Sequence, residues 1–430
     1  MKLVIIGLGY VGLSNVAYLV SHGQKDVVAF DRDENKISLL KASRFLFKEP
    51  VLNDVLKKEA KKIIYTSQAK DLADADGYFI AVGTPSKEDG TADLSFLDDA
   101  LNTIEKVSKG SNVIIRSTVP VGTAKKVADR LPTFHVISMP EFLAEGRSYE
   151  DESSPYRIVL GAKNQSDFDF IRNLRKTEVN EGVPFYYMSN ESAELSKYAS
   201  NIFLSMKISY INEMARLAEA VGADITDVAM AMGADPRIGH AMLKAGLGYG
   251  GSCFPKDGKA LLETASEEDV PLLLPEATAA INDSQPLYFF KKIQAYYPNL
   301  KGIKIALLGL AYKAGTSDLR NALSLVLAKY LLASGAILSA YDPAEGARKA
   351  FGAAYPNIKV CTSKEDALKG ADAIVIVTEE GEFAKLDEKV LLDEMNGRVI
   401  FDGRNLYSTH YFHYFAYVSI GRAASKPNLK

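Results

Sequence analysis

The sequence predicts an α/β protein in which two doubly wound parallel sheets are joined by a central helical domain containing a long helix. Three observations carry this reading. Short β-branched runs alternate with helical patterns at the spacing of parallel crossover units. The order strand, glycine turn, helix, strand ending in Asp occurs twice, once from Lys2 and again from Lys304. Between the copies lies a stretch of more than thirty residues without Gly or Pro.

In chain order, Lys2 to Ile6 (KLVII) reads as a strand too short to be a helix, Leu13 to Ser21 as a helix, and Val27 to Phe30 as a strand ending at Asp31. Further strands are expected at Gly77 to Val82, Val113 to Ser117, Val136 to Ser138 and Arg157 to Leu160, which completes a Rossmann-like domain over 1–188. Ser189 to Val221 reads as one helix, with cap-forming Ser189 and Asn190 at its start and Gly222 past its end. Helical segments run on to about Gln285, so 189–300 is the helical domain, a kind of middle section that often pairs subunits. Lys304 to Leu308 then leads into Gly309, Ile337 to Ala340 into Tyr341-Asp342-Pro343, and Ala373 to Val377 follows Gly370 to Asp372, much as Tyr78 follows Ala75-Asp76-Gly77. The region 301–430 is therefore a second Rossmann-like domain, with a cleft between the two as the expected ligand site.

Composition narrows the function. The chain has 430 residues, 51 Lys+Arg against 54 Asp+Glu and a net charge of -3, which disfavours a protein that works by neutralising nucleic-acid phosphates. A small-molecule partner is expected instead. Two cysteines, Cys253 and Cys361, and five scattered histidines form neither a disulfide framework nor a metal-ligand pattern, so no metal is expected and a reducing compartment fits. Leu3 to Gln24 lacks charge, yet Gly7, Gly9, Gly12 and Gly23 interrupt it, and it reads as strand, turn and packed helix rather than a signal or membrane segment. A cytosolic protein without membrane partners is the expectation.

Gly7-Leu8-Gly9-Tyr10-Val11-Gly12 is a GxGxxG directly after a strand and before a helix. The first glycine permits the turn, the second lets backbone N–H groups approach a pyrophosphate, and the third lets helix and strand pack closely. Asp31, nineteen residues after Gly12, stands where a carboxylate accepts hydrogen bonds from a ribose. Its charge repels the extra phosphate of NADP, and although Arg32 is a contrary signal, NAD is the expected cofactor. A second constellation, Gly248 to Asp257 (GYGGSCFPKD), sets three glycines before Cys253, with Lys256 and Asp257 supplying a cation and a base beside the thiol. A neighbouring cation lowers a thiol pKa, and the thiolate is the nucleophile. Cys361 lacks such surroundings and reads as a buried packing residue.

These motifs, with VGTP at Val82 to Pro85, STVPVGT at Ser117 to Thr123, PEFLAEG at Pro140 to Gly146, DPRIG at Asp235 to Gly239, GLAYKAGTSDLR at Gly309 to Arg320 and FDGRN at Phe401 to Asn405, resemble the UDP-glucose 6-dehydrogenase family of nucleotide-sugar dehydrogenases. The resemblance covers nearly the whole chain, and GYGGSCFPKD is its most diagnostic part. It implies an NAD-dependent, four-electron oxidation of a sugar C6 alcohol to a carboxylate, UDP-glucose to UDP-glucuronate. Cys253 would retain the aldehyde as a thiohemiacetal and carry it to a thioester, with Asp257 assisting the hydrolytic water. Glu141 would act as general acid/base through water held by Thr118, while Lys197 and Asn201, four apart on one helix face, would stabilise oxygen charge.

By the same resemblance Tyr10, Val11, Asp31, Lys36, Thr84, Thr118, Glu145, Lys256 and Arg320 join the glycines at the cofactor. Glu141, Phe142, Leu143, Ala144, Glu145, Lys197, Asn201, Met242, Leu243, Lys244, Ala245, Gly246, Gly250, Lys313 and Arg404 would meet the nucleotide sugar. Arg237 would reach a neighbouring subunit's substrate, which implies a homodimer. Two small departures are Met139, where a polar residue is frequent, and Ser43 to Pro50, which keeps only the Glu49-Pro50 end of the usual pattern. The alternatives are a sister enzyme acting on GDP-mannose or a UDP-N-acetylhexosamine, and a non-catalytic nucleotide-sugar-binding protein. Lys57 to Lys62 reads as a solvated helix face, Tyr407 to Tyr417 as aromatic packing, and Ser425 to Lys430 as a disordered tail.

Overall fold

Eight short strands build the first sheet: β1 (Lys2–Ile6), β2 (Asp26–Phe30), β3 (Ile63–Thr66), β4 (Gly77–Ile80), β5 (Asn112–Ile115), β6 (His135–Ser138), β7 (Ile158–Gly161) and β8 (Phe185–Met188). Their order is β3-β2-β1-β4-β5-β6-β7-β8. The first six are parallel neighbours, β6 meets β7 antiparallel, and β7 pairs β8 in parallel. The order of the first six reverses at β1 and β4, the switch point where doubly wound sheets bind ligands. Alternation along β1 feeds both layers: Leu3 and Ile5 face a core with Leu13, Val16 and Val20, while Val4 and Ile6 face Leu97, Leu101 and Ile104. Covered on both faces, the strand is apolar throughout rather than alternating.

The computed structural model describes residues 1–45, 49–87 and 89–427. Part of the segment Ser43 to Pro50 and the end of the expected tail lie outside the described residues. The start of that tail is ordered, for Ser425 bridges Tyr417. The chain forms two units, Met1–Ser200 with Lys259–Val270, and Asn201–Gly258 with Pro271–Lys430.

In the second unit β9 (Lys304–Leu308), β10 (Ile337–Tyr341), β11 (Lys359–Val360), β12 (Ala373–Ile376), β13 (Val399–Asp402) and β14 (Ala416–Val418) form an all-parallel sheet in the order β11-β10-β9-β12-β13-β14. This repeats the order of the first six strands. Ile305 and Leu307 pack with Leu327, Leu331, Ile211 and Ala215, so the later part of the long helix belongs to this core. Ala306 and Leu308 face the other way, toward Leu368, Tyr417 and the buried Cys361. Tyr407, Phe412 and Phe415 join that second layer, which accounts for most of the C-terminal aromatic cluster, while Tyr411 and Tyr414 stay exposed.

The long helix runs Asn190–Val221. Its 32 residues span about 48 Å at the usual rise. Ser189 Oγ accepts from the Ser192 N–H at 3.1 Å, and Gly222 ends the helix at φ +77°. Asn190 does not share the capping. Its side chain turns to β6, where Oδ1 accepts from the Ser138 N–H at 3.0 Å. A second difference lies in helix Leu273–Tyr296, which continues past Gln285 through Pro286. Proline removes one helical hydrogen bond, but burial of Phe289, Phe290 and Ile293 beyond it keeps the helix going.

Candidate functional site

At the end of β1, Gly7 takes φ +93°, and its N–H donates to Phe30 O across to β2. A Cβ here would sit 2.7 Å from Ala81 O. The turn delivers Gly9 as the residue before helix Tyr10–Ser21, and nothing lies within 4 Å of a Cβ built on it. A Cβ on Gly12 would fall 1.9 Å from Gly7 O, so helix and turn touch backbone to backbone. The first turn's N–H groups are thereby open to an anion.

Asp31, just past β2, accepts from the Leu8 N–H at 3.0 Å, the Asp33 N–H at 3.1 Å and Lys36 Nζ at 2.7 Å. Burial works to raise its carboxyl pKa, but Lys36 and the two amides prevail and hold it below the ordinary value. A cleft of about 640 Å³ runs along these residues and includes Gly7, Gly9, Asp31, Lys36, Val82 and Phe96. The glycine turn, the ribose-side carboxylate and this cleft fit a dinucleotide. Arg32 lies along the same cleft but is paired with Asp99 at 2.7 Å and stacked over Phe96. Tyr10 and Val11 open the helix behind the turn.

Other expected residues of this unit gather at the ends of β5 and β6. Thr84 Oγ1 donates to Thr118 O at 2.6 Å, joining VGTP to STVPVGT. Glu141 and Lys197 are both buried and pair at 3.0 Å, and Glu141 Oε2 accepts from the Leu143 N–H at 2.7 Å. The Phe142 ring lies beneath Lys197 Nζ and the Arg157 guanidinium. Ala144 N–H donates to Asp151, and the Gly146 N–H, next to Glu145, donates to buried Glu49 at 2.9 Å. Glu49 also accepts from the Ser148 N–H at 2.9 Å, so the retained Glu49-Pro50 end anchors the PEFLAEG loop.

In the second unit Cys253 stands immediately before helix Phe254–Glu267, and its carbonyl accepts from the Asp257 N–H at 2.8 Å. Ser252 Oγ lies 3.7 Å from Sγ. Asp257 is fully buried, with Oδ2 accepting from Asn201 Nδ2 and Oδ1 from Lys256 Nζ, each at 2.6 Å. The structure thus brings Asn201, Asp257 and Lys256 together behind the cysteine.

The segment Met242 to Gly251 is held by amides that sequence reasoning missed. Buried Asn212 accepts from the Gly246 N–H at 2.8 Å, Gln285 donates to Gly246 O at 2.8 Å, and Asn282 brackets Tyr249 by accepting from its N–H and donating to its carbonyl. Leu243 and Ala245 are buried, Lys244 is exposed, and Met242 takes φ +64°. A Cβ on Gly250 would meet Asn321 O at 2.2 Å. The missed signal was periodic: Lys197, Asn201, Ser205, Ser209, Asn212 and Arg216 recur at spacings of three and four along the long helix.

Three family models match in order: the NAD binding domain of the UDP-glucose/GDP-mannose dehydrogenase family over residues 1–178, its central domain over 191–284 and its UDP binding domain over 306–409. The chain belongs to the UDP-glucose/GDP-mannose dehydrogenase family. It is an NAD-dependent nucleotide-sugar dehydrogenase. It is 40% identical over 441 residues to a UDP-glucose 6-dehydrogenase of Rhizobium meliloti, covering 98% of this chain and 100% of that one. With a UDP-glucose 6-dehydrogenase of Pseudomonas aeruginosa it shares 38% over 429 residues, covering 95% and 94%. Among solved structures, a UDP-glucose dehydrogenase from Pyrobaculum islandicum superposes with a TM-score of 0.90 at 31% identity, covering 98% of each chain. A UDP-D-ManNAc dehydrogenase from Pyrococcus horikoshii gives 0.86 at 28%, covering 98% and 99%.

Within the UDP-binding part of this dehydrogenase, Lys313 lies by the Tyr312 ring, and Arg404 donates through Nε to Val377 O at 2.7 Å and through Nη1 to Gly248 O at 3.3 Å. Arg320 holds Asp318 with its guanidinium, and its carbonyl accepts from the Gly251 N–H at 2.9 Å. Arg237 is exposed and paired to Asp235 at 2.6 Å. Among the described residues no helix is long and apolar enough to cross a membrane, and no three His, Cys, Asp or Glu side chains gather as a metal site.

Proposed function

We propose that this dehydrogenase oxidises UDP-glucose to UDP-glucuronate in two steps with one nucleophile. The observation that carries the reading is Cys253 at a helix N-terminus with Lys256 and the buried Asn201 and Asp257 clustered at the turn that follows it. An alcohol dehydrogenase that stops at the aldehyde needs no such thiol. Bound NAD supplies the hydride acceptor, one molecule per oxidation. Lys197 and Asn201 stabilise charge on the C6 oxygen, Glu141 and Thr118 manage the proton through water, and the Cys253 thiolate adds to the aldehyde carbon to give a thiohemiacetal. Loss of the second hydride leaves a thioester, which water assisted by Asp257 hydrolyses to the carboxylate and the free thiol.

The glycine turn, Asp31, Lys36, Thr84, Thr118, Glu145, Lys256 and Arg320 are assigned to the cofactor. Phe142 to Glu145, Met242 to Gly246, Gly250, Lys313 and Arg404 are assigned to the nucleotide sugar. The long helix exposes Phe203, Tyr210 and Leu217 at heptad spacing, which supports a homodimer in which Arg237 serves the partner's substrate.

With limiting UDP-glucose and excess NAD, two NADH are expected per sugar. Release with GDP-mannose or UDP-GlcNAc but none with UDP-glucose would move the assignment to a sister enzyme. Cys253→Ser is expected to block completion of the acid; an unchanged yield would refute the nucleophile.

A further inference from the structure

Glu194 has no role in the steps above, yet it is a carboxyl enclosed beside them. It stands on the long helix one turn before Lys197 and is only 4% exposed. Its Oε2 accepts from the Gly122 N–H and its Oε1 from the Ala124 N–H, each at 2.7 Å. Those donors open helix Thr123–Arg130, which follows the turn carrying Thr118. Glu194, Lys197, Ser117, Thr118 and Ser138 line one cavity of about 10 Å³, close to the smallest that holds a single water. Ile115, Val119 and Pro140 complete its lining, so a water there would be held by the five polar side chains.

We propose that Glu194 is the positioning and proton-holding residue of the site, taking up through one cavity water the proton released at Thr118 and Lys197 when the C6 alcohol is oxidised. The inference rests on the reading of those two residues given above. The electron pair of the C6–H bond leaves with the hydride to bound NAD, the hydroxyl proton is handed on from Glu141 and the water at Thr118 through the cavity water, and the Glu194 carboxylate becomes a carboxylic acid. Departure of product returns the proton to solvent. The groups around Glu194 suit this exchange. Burial pushes its pKa up to about 7, against the lowering pull of the Ala124 and Gly122 amides and the Ser138 hydroxyl and with a further push from Glu191. Lys197 lies along the same cavity but is paired with Glu141.

The test is the pH profile of kcat for wild type and Glu194→Gln with UDP-glucose. In wild type, kcat is expected to fall on the acid side of about pH 7, where Glu194 is already protonated. In Glu194→Gln that limb should vanish and the plateau should drop about tenfold to a hundredfold, with KM for NAD within about twofold. A retained limb, or a plateau within about twofold of wild type, overturns the proposal while leaving the functional reading intact. Absence of NADH from UDP-glucose in the wild type overturns the functional reading and this step together. Should the variant fail to fold, infrared titration of the substrate-free wild type decides: a buried carboxylic acid must deprotonate between about pH 6 and 8, and its absence refutes the inference.

Discussion

The two sheets share a strand order but use their first turns differently. In the first unit β1 runs into Gly7 at φ +93° and a helix begins at Tyr10. In the second, β9 runs into Gly309 at φ +92°, yet the next helix starts only at Leu323. Ala311 and Ala314 stand where the first turn has Gly9 and Gly12. Without the close helix contact that Gly12 allows, the second turn widens into a loop carrying Lys313 and Arg320. The carboxylates at the ends of the second strands diverge likewise. Asp31 keeps a face on the cofactor cleft, whereas Asp342 is fully buried and accepts from the Leu310, Ala311 and Ala344 N–H groups at 2.7, 3.1 and 2.8 Å. One fold position therefore opens onto a cleft in the first copy and serves the loop itself in the second.

The sharpest break of that comparison is a matched pair of substitutions. Asp342→Ala leaves three buried N–H groups without their acceptor and should cost about 3–5 kcal/mol in urea unfolding. Asp31→Ala should cost less than about 2 kcal/mol and appear chiefly as a tenfold or larger rise in KM for NAD. Equal stability losses would refute the division of labour.

The loop-holding amides give the next effect. Asn282→Ala frees both Tyr249 backbone groups and should cost about 2 kcal/mol, raising KM for the nucleotide sugar while leaving KM for NAD within about twofold of wild type. Asn282→Asp keeps the acceptor and should lose roughly half as much. An N282A variant with an unaltered sugar KM would show that the Tyr249 contacts do not hold the substrate loop.

The glycine turn was legible because its constraints are local: Gly7, Gly9, Gly12 and Asp31 act within one strand-turn-helix unit, and Gly7 and Gly12 each have a steric reason. The long helix was legible for the same reason, down to Ser189 and Gly222. Asn282 and Gln285 were not, because each acts on Gly246 or Tyr249 more than thirty residues away, and nothing local distinguishes such an amide from a solvated one; Asn212 acts at the same range and showed only in the polar spacing of the long helix. Glu194 was hidden likewise, its acceptors' partners lying about seventy residues upstream. Past Gln285 the helix runs on through Pro286, where a local breaker yields to tertiary burial.

A smaller effect follows from the charge on Asp31. Its folded pKa is depressed, so the stability it contributes is present above the unfolded value of about 3.9 and is lost as pH falls through the lower folded value. The Tm difference between wild type and Asp31→Asn should favour wild type and stay level from about pH 7 to 5, then shrink below about pH 4. A difference that grows on acidification would mean that Lys36 and the Leu8 amide do not dominate over burial.

The smallest effect belongs to Arg32, which with Lys36 and Lys106 is one of three cations along the cleft whose charge favours a 2′-phosphate. Its pairing with Asp99 is exposed on both sides, at 63% and 58% of the side chains, and such pairs contribute about 0–1 kcal/mol. Arg32→Ala should therefore change stability by less than about 1 kcal/mol and leave KM for NAD within about twofold. The comparison with NADP makes it informative. If Asp99 and Phe96 hold the guanidinium away from the ribose, wild type and variant should discriminate against NADP equally, because the repulsion comes from Asp31. A variant that uses NADP markedly less well than wild type would place Arg32, rather than Asp31 alone, among the groups that set cofactor preference.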